Sequence, residues 1–320
     1  MRRAGYAVAA GACAVGAARL AYSAMSRRPP GGPKAWSRTN HRGEPVTLLE
    51  GPAVAAGALA GVLAQAGLAQ AELAPASGWP GTSGSAGWRR AAAMVLGGAG
   101  AAAFGAHDDL AGSGDRRGFR GHLGALRQGE VTTGAVKLGG IGVTGVVSAA
   151  LAGGSPADVI LNAGLVAGGA NLLNLFDLRP GRAIKVAAAS GVLLGVAGQD
   201  SVAAPLGAAL ALLPEDLGER AMLGDAGANA LGAMLGASAA GLSRPARIAL
   251  LAGIAGLTAA SEKVSFTKVI ARTPALNWLD MLGRRPAPQT EPSGTEPSGT
   301  EPPSPQPPVT IPAQRPESGG

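Results

Sequence analysis

Along most of the chain the apolar residues neither alternate nor form a narrow amphipathic stripe. They run in nearly unbroken stretches separated by short polar punctuation, beginning near residues 4, 51, 91, 138, 157, 183, 201, 226 and 246. Each approaches the ~20 residues that a helix needs to cross a bilayer. The pattern predicts an all-α polytopic membrane protein with nine transmembrane helices. The stretch at 201–213 is short, which suits a tilted or broken helix and leaves the count at nine to ten.

The polar punctuation carries a second pattern. The segment SRRPPGGPKAWSRTNHRG contains Arg27, Arg28, Lys34, Arg38 and Arg42, whereas ELAPASGWPGTSGSAGW has no basic residue before Arg89. Lys and Arg are retained on the cytoplasmic side, so the first loop is predicted to be cytoplasmic and the N-terminus outside. Alternation then puts residues 107–137, 176–185, 214–225 and 262–320 in the cytoplasm, and the turns GGSP, GQD and SRPAR outside. Arg2 and Arg3, the apolar run after them and the small residues near Ser23 and Ala24 also have the layout of a secretory signal. The five basic residues downstream favour retention as a span.

Three regions follow: a transmembrane domain with cytoplasmic loops over 1–262, an interfacial segment over 263–285, and a tail over 286–320. In the second, Phe266, Val269, Ile270, Leu276, Trp278, Leu279 and Leu282 interleave with Lys268, Arg272, Arg284 and Arg285, the pattern of a helix lying on a membrane surface and interrupted before Pro274. In the third, the repeat TEPSG at 290–294 and 295–299 offers no apolar face, so disorder is expected.

Composition sharpens this picture. Only 15% of the 320 residues are charged and 3% aromatic, but 52 are glycine. Small residues let helices in lipid approach closely, where van der Waals contact replaces the hydrophobic drive. Cys13 is the only cysteine, which excludes an intramolecular disulfide. The net charge of +7 lies in short runs between apolar stretches, which reads as topology-setting loops and not as a nucleic-acid surface.

Carboxylates beside apolar spans are expensive and call for a reason. Three groups fall at predicted cytoplasmic ends. His107, Asp108 and Asp109 close the third span; adjacent acids repel unless a cation or a proton compensates. Asn171, Asn174 and Asp177 close the fifth, spaced by three along one helical face. Asp225, between Gly224 and Gly227, opens the eighth, where a helix N-terminus favours anions such as phosphate. Each also has a plain structural explanation: a helix ending in water, interhelical amide bonds, an N-cap. Their shared face, with Arg116, Arg117, Arg120, Arg127, Lys137, Arg179, Arg182 and Lys185 nearby, suits Mg²⁺ and a diphosphate.

The motifs DD at 108–109, NLLNLFD at 171–177 and MLGDAGAN at 222–229 resemble, in the same order, those of the polyprenyl-phosphate N-acetylhexosamine-1-phosphate transferases, which include phospho-MurNAc-pentapeptide transferase. The similarity covers most of residues 1–285. It implies transfer of a sugar-1-phosphate from a UDP-sugar to a polyprenyl phosphate with release of UMP, at a bacterial plasma membrane in envelope glycan synthesis. The resemblance makes Asp108, Asp109 and Asp177 catalytic, Asp109 and Asp225 ligands of Mg²⁺, and Asn171 and Asn174 substrate-binding. The chain departs from the pattern in two places. Where the family continues as DGxDG, Asp177 is followed by Leu178, Arg179, Pro180, Gly181 and Arg182, and residues 262–285 lack the family's histidine motif. Arg179 or Arg182 would then take a phosphate, or catalysis has been lost and the chain is a lipid-binding or scaffold protein. A homodimer is compatible with either. Gly140, Gly142 and Gly145 form a GxGxxG inside a span, with no soluble strand before it, and are expected to pack helices.

Overall fold

The computed structural model describes residues 2–73, 85–111, 124–125 and 128–286. The part of the chain up to Arg285 forms one unit, built almost wholly of helices: α1 (Arg2–Arg27), α2 (Pro33–Trp36), α3 (Glu50–Leu73), α4 (Ser85–Ala111), α5 (Thr133–Ala152), α6 (Pro156–Phe176), α7 (Arg182–Val196), α8 (Ala203–Leu217), α9 (Gly224–Ala239), α10 (Arg244–Ser261), α11 (Phe266–Arg272) and α12 (Pro274–Met281). Four of them, α1, α3, α5 and α6, are long and apolar enough to cross a membrane, and the bent pair α10 and α11 makes up to five. Nine to ten spans are therefore not supported. The difference lies in length and hydropathy: α7 and α8 have 15 residues and α9 has 16, short of the ~20 a crossing needs, and α4 is long but rich in glycine and alanine between its charged ends.

Small residues decide how the helices meet. Ala10, Ala14 and Ala18, four apart and so on one stripe of α1, are fully buried, and Gly57 and Gly61 of α3 lie against that stripe. The central helix α9 packs on α3, α4 and α6. It meets α6 glycine against glycine, where a Cβ on Gly169 would come to 2.5 Å of the Gly232 carbonyl oxygen, so neither glycine can carry a side chain. Of the GxGxxG glycines, Gly140 faces the Phe104 ring and Gly145 faces α6. Leu165, Ile184, Leu212 and Leu231 fill the core between the helices, and many other large apolar side chains turn outward, among them Ile160 at 74% and Val196 at 85% exposed.

Contacts between helices fix their directions. Gly105 of α4 meets Asp225 at the start of α9 while Gly98 meets Met234 further along it, so the two run antiparallel. Gly164, Gly168 and Asn171 of α6 meet Leu251, Ile254 and Thr258 of α10 in order, so that pair is parallel. One end of the bundle collects the starts of α3, α5, α7 and α9 and the ends of α4, α6, α8 and α10.

At this end the segment read only as a basic loop forms a hairpin, β1 (Ser37–Thr39) with β2 (Pro45–Thr47), antiparallel in register Ser37 to Thr47. The Asn40 carboxamide oxygen accepts the backbone N–H groups of Arg42 and Glu44, closing the turn. The helix over 266–281 is divided at Thr273, which is extended (φ −104°, ψ 107°), as the residue before a proline prefers to be. The TEPSG tail lies outside the described residues.

Candidate functional site

The carboxylates of all three motifs come to the same end of the bundle. Lys137, in the first turns of α5, stands between two of them: its Nζ is 2.9 Å from Asp108 Oδ2 and 2.5 Å from Asp225 Oδ2. Asp109 does something different. Its Oδ1 accepts the backbone N–H of Asp225 at 3.0 Å and its Oδ2 that of Ala226 at 2.9 Å, so it caps α9 from a neighbouring helix. The cap requires Gly224 at φ +61°, with the Asp109 carboxylate about where a Cβ would press on it. Arg38 of the hairpin donates to the Asp109 backbone carbonyl.

Asp177 follows the last residue of α6. Loss of water contact, then the charges of Asp216, Asp225 and Asp109, raise its pKa well above the ordinary value, against a hydrogen bond from the Gly224 backbone. Asp225 is raised to about 7, first by burial, with Lys137 opposing. Asp216, near the end of α8, is likewise raised to about 7 by burial, with a hydrogen bond from the Gly181 backbone opposing. Its Oδ2 and both carboxylate oxygens of Glu50 are buried without a partner among the described residues.

The amides and guanidiniums divide. Asn171 Nδ2 reaches Thr258 Oγ1 on α10 at 3.5 Å, the interhelical bond that is the plain alternative for an amide in an apolar helix. No hydrogen bond of the Asn174 side chain is found among the described residues. Arg182 is committed elsewhere: Nε donates to Asp280 Oδ1 at 2.6 Å, Nη2 to Oδ2 at 3.0 Å and Nη1 to Thr267 Oγ1 at 3.0 Å. It is 4% exposed and ties α11 and α12 to the bundle instead of facing the acids. Arg179 does face them, lining a cavity of about 90 Å³ with Asp177, Asp216, His41 and Glu219. Burial, then the Arg179 charge, lowers the pKa of His41, so its imidazole is neutral at pH 7. Buried Glu219 holds the hairpin over this cavity, accepting from Arg42 Nε and Asn40 Nδ2, each at 2.9 Å, from an unusual φ of +56°.

Four residues of this end, Glu50, Asp216, Glu219 and His41, are not singled out in the sequence. Glu50 carried a signal, a carboxylate opening an apolar helix in LLEGPAVAAG; Asp216 follows Pro214, where α8 reads as already ended. Arg116, Arg117, Arg120 and Arg127 lie outside the described residues.

No group of three or more His, Cys, Asp or Glu able to hold a metal is present among the described residues. The donor set fits Mg²⁺ only in its usual mode of one or two carboxylates completed by substrate phosphates and water, and Asp108 with Asp225 is the pair that already shares a cation. Comparison with protein-family models gives no match, and comparison with curated proteins gives none.

Proposed function

We propose that the chain is a membrane phosphoglycosyl transferase of the polyprenyl-phosphate N-acetylhexosamine-1-phosphate transferase type. The observation that carries the proposal is the convergence of Asp108, Asp109, Asp177 and Asp225, from the ends of three separate helices, at one end of the bundle, where Asp108 and Asp225 share the Lys137 ammonium. The same proposal makes this end cytoplasmic in a bacterial plasma membrane, with the N-terminus outside.

In this reading an oxygen of the polyprenyl phosphate attacks the β-phosphorus of a UDP-sugar; the bond from that phosphorus to the oxygen bridging to the α-phosphate breaks, and UMP leaves. Mg²⁺, when bound, would be held by Asp108 and Asp225 and would neutralise the diphosphate. Lys137 would then be drawn toward a phosphate oxygen. Asp177, with its raised pKa, takes the proton of the attacking phosphate. Arg179 contributes a guanidinium toward the leaving nucleotide's phosphate, and Asp109 positions Asp225 through the cap it forms.

A second reading, a family-like lipid-binding or scaffold protein, is favoured by Lys137 already neutralising the would-be metal pair and by Arg182 being taken by Asp280. Purified protein with undecaprenyl phosphate, Mg²⁺ and a panel of UDP-sugars separates the two. Transfer predicts UMP release with at least one sugar, reduced about a hundredfold or more by Asp177→Asn, as for loss of a general base. A panel that yields no UMP above the protein-free rate contradicts it.

A further inference from the structure

The opposite end of the bundle holds a second and larger cavity, of about 500 Å³, among α3, α4, α5, α6, α9 and α10. Its volume is in the range of small-ligand sites. It runs from Asp158, in the first turn of α6, down to Val166, eight residues and so ~12 Å of helix.

Its lining is polar well below the rim, which a lipid-packed helical bundle has no reason to be. Asn162 is 6% exposed, Ser238 4% and Ser148 1%, and the carboxamides of Gln65 and Gln199 join them. Of the charges, Arg90 stands exposed at the rim, and Arg247 Nη2 donates to Asp158 Oδ1 at 2.9 Å and Nη1 to Asn162 Oδ1 at 2.8 Å, with its buried Nε unpartnered among the described residues. The two serine hydroxyls donate to the Ala93 and Met234 carbonyls, so toward the cavity their oxygens can only accept. Asn162 Nδ2 and the whole Gln65 carboxamide make no hydrogen bond among the described residues. Trp88 presents a half-exposed indole at the same cavity.

Uncharged amides that donate and accept, hydroxyl acceptors, a locked arginine–carboxylate pair and an aromatic face are the complement of vicinal hydroxyl groups on an apolar ring. They match a phosphate less well, because both Nη groups of the inner guanidinium are already paired and the Asp158 carboxylate beside them would repel it, and an alkyl chain would bury these groups unsatisfied. We propose that this cavity binds a polyhydroxylated ligand, a saccharide or the saccharide headgroup of a lipid. It is separate from the carboxylate end and does not rest on the transferase reading.

The full chain in phosphatidylcholine nanodiscs, followed by saturation-transfer NMR, tests it with maltose, chitobiose, trehalose and myo-inositol as free probes. In a second arm digalactosyldiacylglycerol is built into the disc. Saturable transfer to the ring protons of a free probe identifies a soluble saccharide as the source, and transfer only in the second arm identifies a lipid-borne one. Gln65→Leu and Asn162→Leu should each weaken the effective probe about tenfold, the loss of one or two hydrogen bonds. Asn162→Asp keeps the acceptor for Arg247 and should also weaken it, at an unchanged melting temperature, even if the leucine variant unfolds. No saturable transfer in either arm, equal affinity in variants that melt normally, or binding of inorganic phosphate alone would overturn the proposal.

Discussion

Asp109 shows how far a residue's role depends on partners that its neighbours in sequence do not reveal. Beside Asp108 it reads as half of a metal-binding pair, but its two oxygens each accept a backbone N–H at the start of α9. An amide there offers one acceptor and turns its NH₂ toward the other donor. Asp109→Asn should therefore cost about 1–2 kcal/mol, the range for losing a helix cap, seen as a lower melting temperature without Mg²⁺. Asp108→Asn, which keeps an acceptor for the Thr133 hydroxyl and gives up part of a shared ammonium, should cost less. Asp216 gives a pH signature. It titrates near 7 in the fold against an ordinary 3.8, so the folded state holds its proton more tightly. Its contribution favours folding in acid and is lost as pH rises from about 4 through about 7. Asp216→Asn keeps an acceptor for the Gly181 N–H and removes the charge, so its melting temperature relative to the parent should improve by about 2–4 °C between pH 4 and pH 8. A pH-independent difference would assign the raised pKa to some other group.

At the scale of elements, glycine placement separates packing from decoration. A Cβ on Gly232 would meet the Gly169 carbonyl, and one on Gly142 meets nothing within 4 Å. Gly232→Ala should destabilise by about 1–3 kcal/mol or more, as overpacking does, while Gly142→Ala in mid-helix should be neutral or stabilising by up to about 1 kcal/mol. Thermal melts of the two variants check the contrast; equal melts would mean that α6 and α9 are not so closely apposed. The helices themselves were legible, because apolar runs bounded by Gly, Pro and charge leave few alternatives: the capping box of Ser155 and Asp158 at the start of α6 and the break before Pro274 are both local signals. Span count was not legible in the same way, since hydropathy alone does not show where α7, α8 and α9 stop. The hairpin at 37–47 was missed because three-residue strands have too few positions to alternate, and its stability comes from Glu219, far along the chain.

For the whole molecule, the convergence of three motifs on one end followed from loop charge, and the structure brings Asp108, Asp109, Asp177 and Asp225 to that end. What the sequence could not convey is the wiring between them, since Lys137, Asp109 and the α9 backbone meet only once α4, α5 and α9 are packed. Glu50 and Asp216 add buried acids that no local motif announces, and Arg182 is drawn away by Asp280 over a separation visible only in three dimensions. In the proposed reading the Lys137 position is exchangeable: the ammonium that holds Asp108 and Asp225 would give way to Mg²⁺ bound together with a diphosphate. The most direct measurement is the melting temperature of the parent, Asp108→Asn and Asp225→Asn proteins with UDP-N-acetylglucosamine, with and without Mg²⁺. Mg²⁺ should raise the parent's melting temperature, and each substitution should remove at least about half of that rise, as loss of one of two carboxylate ligands should. An equal Mg²⁺ response in all three proteins would contradict the proposed reading.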